Sequence, residues 1–147
     1  MGGRSQKGLV RVEDRPVLDS DVLIDYLRGA GPGRDLIRVL RSSLGYRVTS
    51  VSAFEIALGR SYAIDPRPAN ALLAVPCLSL SRSAALRAGA LLHELCAGGS
   101  ALEIRDAMQA GICVDAGTPL VTRNRRHFER VGGLELVDPA EWLGRLH

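Results

Sequence analysis

Two aspartates lie where a short apolar segment gives way to a helical pattern. The apolar run 16–18 ends at Asp19, and Asp21 follows before apolar residues return at helical spacing from Val22. This pattern predicts a buried strand whose carboxyl end carries Asp19 into the crevice of an open α/β sheet, where ligands bind in such folds. Both acids also suit the N-terminus of the next helix, where carboxylates cap free N–H groups. The role of Asp21 therefore stays open between helix cap and ligand. For Asp19, the position at the strand end favours a role in the site.

Further polar residues lie near the later predicted strands. Glu55 opens the helix after the second strand, Asp106 opens a long helix, and Asn124 follows the fourth strand. Each has an ordinary explanation as a helix-turn or loop residue, but residues near the carboxyl ends of parallel strands can converge on one crevice. Carboxylates without His or Cys suit a hard cation, Mg²⁺ or Mn²⁺, which completes its shell with water and phosphate. The candidate chemistry is therefore metal-assisted phosphoryl transfer.

Strands alternate with helices in the predicted architecture. Apolar runs between breakers predict strands at residues 16–18, 47–51, 75–80, 119–122 and 134–137. Helical spacing separates them, with Ser50 or Ser52 and Ser81 or Ser83 as candidate N-caps and a breaker cluster at 29–33. This alternation predicts an α/β fold with mostly parallel strands.

The composition predicts one domain. Hydrophobic residues make up 46% of the 147 residues, enough for one substantial core. Residues 1–15 are Gly-rich and charged, and we interpret them as a flexible arm before a domain at 16–147. No apolar run approaches the roughly 18 residues of a membrane span, and the N-terminus lacks the apolar centre of a secretion signal. We therefore expect a cytoplasmic protein without membrane association.

Cysteine, histidine and charge restrict the chemistry further. Cys77, Cys96 and Cys113 are far apart, and we expect them to be reduced and buried in the core. The scattered histidines give little support to a zinc site or a Ser-His-Asp triad. The net charge is +3, and every basic residue except Lys7 is arginine, which favours a polyanionic partner only weakly.

Four segments together resemble a known family, the PIN-domain ribonucleases, and within it the VapC toxins of toxin–antitoxin pairs. The segments are VLDSDVLIDYLRG at 17–29, VTSVSAFEIALGR at 48–60, IRDAMQAGICVDAG at 104–117 and TPLVTRNRRHFERVGGLELVDP at 118–139. They cover most of the chain after residue 15 in the family's order. The resemblance implies a PIN-like three-layer fold in which helices flank a central, mostly parallel sheet of about five strands.

The resemblance also implies a metal site. The family's three acids correspond to Asp19, Glu55 and Asp106, which would be both catalytic residues and ligands of Mg²⁺ or Mn²⁺. Its fourth metal position corresponds to Asn124, and Thr122 matches the small hydroxyl residue before it. The amide at the fourth position adds no charge, which would weaken a second metal site.

Asp21 is a second departure from the family pattern. The family usually has a small polar residue at this position. The extra acid here would either supplement the metal ligands or cap the helix.

The implied activity is hydrolysis of RNA phosphodiester bonds by a homodimeric toxin with a cognate VapB-like antitoxin. Arg123, Arg125 and Arg126 follow the fourth strand and could hold the RNA backbone, although a solvated basic turn explains them as well. Apolar helices at 36–44 and 54–62 could form a groove for an antitoxin helix, although packing against the sheet explains many of the same residues.

Two other functions remain possible at this point. A PIN-like module with weak catalysis could bind RNA or protein without cutting, because Asn124 replaces an acid. A haloacid dehalogenase-like phosphatase would use Asp19 as nucleophile, as would the related receiver domains of response regulators. Both normally need a downstream lysine beside the aspartyl phosphate, and the chain has none after Lys7.

Overall fold

The computed structural model of the chain describes residues 10–99 and 102–146. Short parallel strands lie at its centre, and each of the predicted strand regions contains one. The strands are β1 Val17–Leu18, β2 Val48–Thr49, β3 Cys77–Leu78, β4 Leu120–Val121 and β5 Leu136–Val137. Within the described residues, no helix is both long and apolar enough to cross a membrane.

Regular pairing divides these strands into a three-stranded sheet, β1-β4-β5, and a two-stranded sheet, β2-β3. A parallel bridge between Val17 and Arg47 joins the two sheets, and Leu18 N donates to Arg47 O at 3.0 Å. The prediction of one sheet of about five strands is therefore corrected. Among the described residues, pairing between β1 and β2 is limited to this bridge, and the two strands are followed by helices from Ser20 and Ser50.

Helices connect the strands. Their bounds are α1 Ser20–Arg28, α2 Gly31–Arg41, α3 Ser50–Ala57, α4 Arg60–Ile64, α5 Arg67–Leu73, α6 Arg82–Ala97, α7 Ile104–Ala116, α8 Arg125–Phe128 and α9 Pro139–Arg145. The spatial order β3-β2-β1-β4-β5 changes direction at β1, since the chain moves outward on one side of β1 and then on the other. Ligand crevices of open α/β folds lie at such a switch point, outside the carboxyl ends of the strands.

Side chains of the strands alternate between two apolar clusters. Val17 and Leu120 belong to one cluster, and Leu18 and Val121 belong to the other. Because consecutive strand residues point to opposite faces, helices must cover both faces of the sheet. The predicted three-layer α/β fold is confirmed.

Several local predictions need correction. Thr49 caps α3, because Ser52 N donates to Thr49 Oγ1 at 3.0 Å, so neither Ser50 nor Ser52 is the cap. Ser81 caps α6 as predicted. Cys113 is buried, but Cys77 and Cys96 are exposed, which contradicts the prediction that all three lie in the core.

The breaker cluster at 29–33 is mostly part of a helix. Gly29 ends α1 in the left-handed conformation, with φ 69°, as a glycine after a helix commonly does. Helix α2 already begins at Gly31 and includes Pro32 in its first turn, where proline fits because the first N–H groups of a helix have no partner within it.

The segment before β1 packs against the domain in its described part. Residues Val12–Asp14 form a 3₁₀ turn. The buried guanidinium of Arg47 donates to the carbonyl oxygens of Glu13 and Arg15 and to Thr118 Oγ1. Residues 1–9 of the predicted arm lie outside the described residues, so the domain boundary at residue 15 stays a prediction.

Candidate active site

Asp19 lies at the carboxyl end of β1 and is also the N-cap of α1. The side chain is buried, with only 6% of the residue exposed. Its Oδ1 accepts hydrogen bonds from Ser20 N at 2.8 Å and Gln109 Nε2 at 3.0 Å, and its Oδ2 accepts from Thr122 Oγ1 at 2.9 Å. The cap and the site role are therefore both properties of one carboxylate, fixed from three directions.

Gln109 is a site residue that the sequence prediction missed. The side chain is buried on α7, and its Nε2 also donates to Ser52 Oγ at 2.9 Å. Its Oε1 accepts from Thr49 Oγ1, so the amide joins α7 to the carboxyl ends of β1 and β2. A polar residue one turn after Asp106, on a helix that otherwise buries apolar side chains, was the available signal.

Asp21 lies one step further along α1, beside the end of β4. Its Oδ2 accepts from Arg123 N at 2.9 Å, whereas its Oδ1 is buried without a hydrogen-bond partner among the described residues. Burial, together with the charge of Asp19, raises the pKa of Asp21 to about 7. A buried carboxylate oxygen without a partner is an unmet acceptor, and a cation would satisfy it.

Glu55 and Asp106 approach the same place from α3 and α7. Glu55 Oε1 accepts from Ser20 Oγ at 3.3 Å, and its Oε2 lies 3.8 Å from Arg105 Nη1. Asp106 Oδ2 lies 3.3 Å from Nδ1 of His127. Both acids are about half-buried, and each already has a partner at the edge of the site.

The acids influence one another electrostatically. Burial raises the pKa of the Asp19, Glu55 and Asp106 carboxyls. The charge of Asp19 further raises the pKa of Glu55 and of Asp106, as it does for Asp21. Each ionised acid therefore costs the others free energy, and a divalent cation between them would offset that repulsion.

The carboxylates of this site are of the type that binds a hard cation, but in the described structure they are not arranged as a coordination shell. Carboxylate oxygens are the ligands that Mg²⁺ and Mn²⁺ prefer. In the part of the chain that the structure describes, no group of three or more His, Cys, Asp or Glu side chains is arranged to hold a metal ion. Glu55 is turned toward Ser20 and Arg105, and Asp106 toward His127, as expected where like charges separate and find local partners.

Asn124 and two of the arginines lie on the rim of this site. Asn124 is exposed at the start of α8, where its backbone N donates to Thr122 Oγ1 at 3.0 Å. Arg125 and Arg126 are exposed on α8 itself, and Arg126 lines a small cavity of about 160 Å³ with His127. These two cationic side chains are accessible to a polyanion. Arg123 is also exposed, but its guanidinium forms an ion pair with the buried Asp25.

A larger groove of about 500 Å³ opens beside Glu55 between α1, α3, α4 and α5. We call it the Glu55 groove; its apolar lining includes Ile24, Leu27, Ile56, Tyr62, Pro68 and Ala69. The sequence predicted a groove from residues 36–44 and 54–62. The first part is wrong, because Leu36, Ile37 and Leu40 are fully buried against the sheet.

Comparison with protein families matches residues 17–134 to the PIN domain model. A comparison with curated protein sequences found no significant match. Among solved structures, the chain is similar to DNA-bound VapBC from Salmonella typhimurium, with a TM-score of 0.73 and 21% identity over 85% of this chain and 98% of that one.

Two further structures have the same fold. A toxin–antitoxin complex from Klebsiella pneumoniae gives a TM-score of 0.65 at 22% identity, over 84% of this chain and 97% of that one. VapBC-1 from nontypeable Haemophilus influenzae gives 0.69 at 19% identity, over 84% and 97%. At these identities the similarity shows a shared fold.

Proposed function

The chain belongs to the PIN domain family, and from that premise we propose that it is a metal-dependent endoribonuclease, the toxin of a VapBC-type toxin–antitoxin pair. The family match leaves no place for the haloacid dehalogenase-like alternative. The observation that carries the proposal is the buried Asp19 carboxylate at the end of β1, whose charge raises the pKa of Asp21, Glu55 and Asp106.

The residues that would hold Mg²⁺ or Mn²⁺ are Asp19, Glu55 and Asp106, with Asn124 and Asp21 as outer candidates. A carboxylate offers about four lone-pair sites, and three hydrogen bonds leave Asp19 Oδ2 with capacity for a cation. The bound cation would supply a water of lowered pKa and neutralise charge on the phosphate.

The protein's own contribution is orientation. Gln109, Thr122 and the backbone of Ser20 fix both oxygens of Asp19, so this carboxylate needs little reorganisation when the site is loaded. Once the Glu55 carboxylate releases Ser20 and Arg105, it would act as a metal ligand or would orient the attacking water.

We also propose that Arg125 and Arg126 hold the RNA backbone. Both are exposed on α8, directly after the β4 end that carries Thr122. Arginine donates to phosphate through a planar fork, and such contacts place the strand without reading its bases.

Cleavage of a mixed RNA pool tests the nuclease proposal. We expect cutting with Mg²⁺ or Mn²⁺ and none with EDTA or in Asp19→Asn, which removes the charge of the central carboxylate while keeping its shape. Asp35→Asn is the matched control and should cut normally, since in the part of the chain that the structure describes Asp35 forms its ion pair with its neighbour Arg34 on α2. Cutting that survives EDTA or Asp19→Asn would contradict the proposal.

The toxin assignment rests on the shared fold and on the Glu55 groove. The similar structures named above are toxin–antitoxin complexes. The groove is apolar, open and adjacent to Glu55, so an antitoxin helix seated there would also cover the acids. We propose a VapB-like partner on these grounds. From the resemblance to VapC toxins we further propose a homodimer in the cytoplasm.

Growth after induced expression tests the toxin role. The wild-type chain should arrest growth, and Asp19→Asn should not, at equal protein level. Light scattering of the purified chain tests the dimer, and a monomer at micromolar concentration would contradict it.

A second candidate is a PIN-like module that binds RNA or protein without efficient cutting. The separated acids and the amide at Asn124 favour it. It predicts RNA binding that Mg²⁺ does not convert into cleavage, whereas the nuclease proposal predicts product formation at the same RNA concentration.

A further inference from the structure

Arg123 lies in the loop that joins β4 to α8, between Thr122 and Asn124, and hydrogen bonds join it to α1. Its backbone N donates to Asp21 Oδ2 at 2.9 Å. Its guanidinium Nη1 donates to Asp25 Oδ1. Because Asp21 and Asp25 are four residues apart on one helix, Arg123 is attached along one face of α1.

Asp25 is an unusual anchor because it is buried. Only 6% of the residue is exposed, and its Oδ2 accepts from Gly33 N at 3.0 Å, in the first turn of α2. Ala30 is the N-cap residue of α2 and supplies no side-chain hydrogen bond. The Asp25 carboxylate therefore caps α2 from the preceding helix, while its other oxygen remains for Arg123.

Two glycines make room for this carboxylate. A Cβ on Gly31 would lie 2.6 Å from Asp25 Oδ2. A Cβ on Gly33 would lie 2.7 Å from Val22 O and 2.9 Å from Asp25 Oδ2. All three distances are closer than a real Cβ can approach, so the sequence Gly31-Pro32-Gly33 leaves room for Asp25 and is not a flexible linker.

The loop that Arg123 anchors carries parts of the site. Thr122 Oγ1 donates to Asp19 and accepts from Asn124 N, so the position of this short loop sets the orientation of both groups. If Arg123 turned to an RNA phosphate, it would leave the buried Asp25 carboxylate without its cation, which is costly.

We propose that Arg123 is a positioning residue: its ion pair with Asp25 holds the β4–α8 loop, with Thr122 and Asn124, against the acid site, and it does not bind the RNA backbone. This revises the expectation that it acts together with Arg125 and Arg126. The kinetic part of its test rests on the proposed nuclease function.

Steady-state cleavage of one RNA substrate separates the two roles of Arg123. Arg123→Ala and Asp25→Asn should each lower kcat roughly 10–100-fold, with KM and its salt dependence unchanged, as expected when the support of a site residue is removed. Arg123→Lys keeps a cation for Asp25 and should recover part of kcat. The double variant should be no worse than either single variant, because both remove the same ion pair.

The opposite pattern would overturn the proposal. If Arg123 holds a phosphate, Arg123→Ala raises KM and reduces the slope of log KM against log salt by about 0.7, while Asp25→Asn leaves kcat unchanged. Arg87→Ala is the charge control, because Arg87 is exposed on α6, and it should match the wild type in kcat.

Amide hydrogen exchange gives a readout without catalysis. In Asp25→Asn and in Arg123→Ala, the amides of residues 123 and 124 should exchange faster than in the wild type, while amides of α9 should not change. Unchanged loop exchange in both variants would overturn the anchor even for a protein that cuts no RNA. Failure of the wild type to cut, with faster loop exchange in the variants, would instead reject the nuclease proposal and retain the anchor.

Discussion

Helices α6 and α7 pack tightly against each other at Gly111, and replacing this glycine should destabilise the protein. A Cβ at Gly111 would lie 2.7 Å from Ala88 Cβ and 2.8 Å from both Ala84 O and Ala88 N. Two of these three atoms belong to the backbone of α6, so they cannot rotate away. Helix α6 would have to move from α7, which carries the site residues Asp106 and Gln109.

The magnitude follows from two opposing effects. Alanine in place of glycine inside a helix ordinarily stabilises by about 1 kcal/mol. An extra carbon in a closely packed contact costs about 1–3 kcal/mol, and backbone atoms place this contact at the upper end. We expect Gly111→Ala to lower the free energy of unfolding by ~1–2 kcal/mol net.

Urea denaturation measures this difference, and Gly89→Ala on α6 is the matched control. Gly89 has open space around its would-be Cβ and is exposed, so alanine should stabilise there by ~0.5–1 kcal/mol. The midpoint of Gly111→Ala should fall with an unchanged denaturant slope, while that of Gly89→Ala should rise. Equal stabilisation by both alanines would refute the packing argument.

Two further predictions concern the acid site. In EDTA, the raised pKa of Asp21, about 7 against an ordinary 3.8, means that the folded state keeps a proton that the unfolded state has lost, so stability falls as pH rises from about 4 to about 7. Asp21→Asn removes this penalty, which is up to ~4 kcal/mol from the pKa difference and ~2 kcal/mol after screening by water. In urea unfolding, the variant should therefore be more stable than the wild type at pH 8 and equally stable below pH 4. A gain in stability that does not depend on pH would contradict this cause. Thr122→Val removes the hydroxyl that donates to Asp19 and accepts from Asn124 N, and should lower kcat for RNA roughly 10–100-fold. Thr122→Ser keeps the hydroxyl and should retain most activity, whereas equal loss in both variants would point to lost packing instead.

The sequence predicted the strands and the position of Asp19 because these depend on local patterns. A short apolar run ending in an acid identifies a strand end, and alternation of Val17 and Leu18 between two cores follows from strand geometry. The bridge between β1 and β2 was not predictable in this way. It depends on how two segments about 30 residues apart in the chain meet in the fold, which is a tertiary property.

The site residues that the sequence missed are defined by distant partners. Gln109 is 90 residues from Asp19, and although its position on the buried face of a helix is unusual for an amide, no local pattern identifies Asp19 as its partner. The prediction that Gly31 and Gly33 break the chain was wrong for the same reason. Glycine and proline are local breakers, but here the space they leave is filled by the carboxylate of Asp25 from another helix.

The buried acids also lower the free energy of unfolding, and interactions elsewhere in the fold must offset that loss. Burial opposes ionisation of Asp19, Asp21, Glu55 and Asp106, since it raises the pKa of each. The hydrogen bonds to Asp19 offset only part of this penalty, and Asp21 Oδ1 has no partner in the described structure. A cation that binds these carboxylates only in the folded state would recover the remainder as folding stability. Adding the metal should therefore stabilise this domain, and a variant that relieves the charge, such as Asp21→Asn, should be more stable without metal and gain less from adding it.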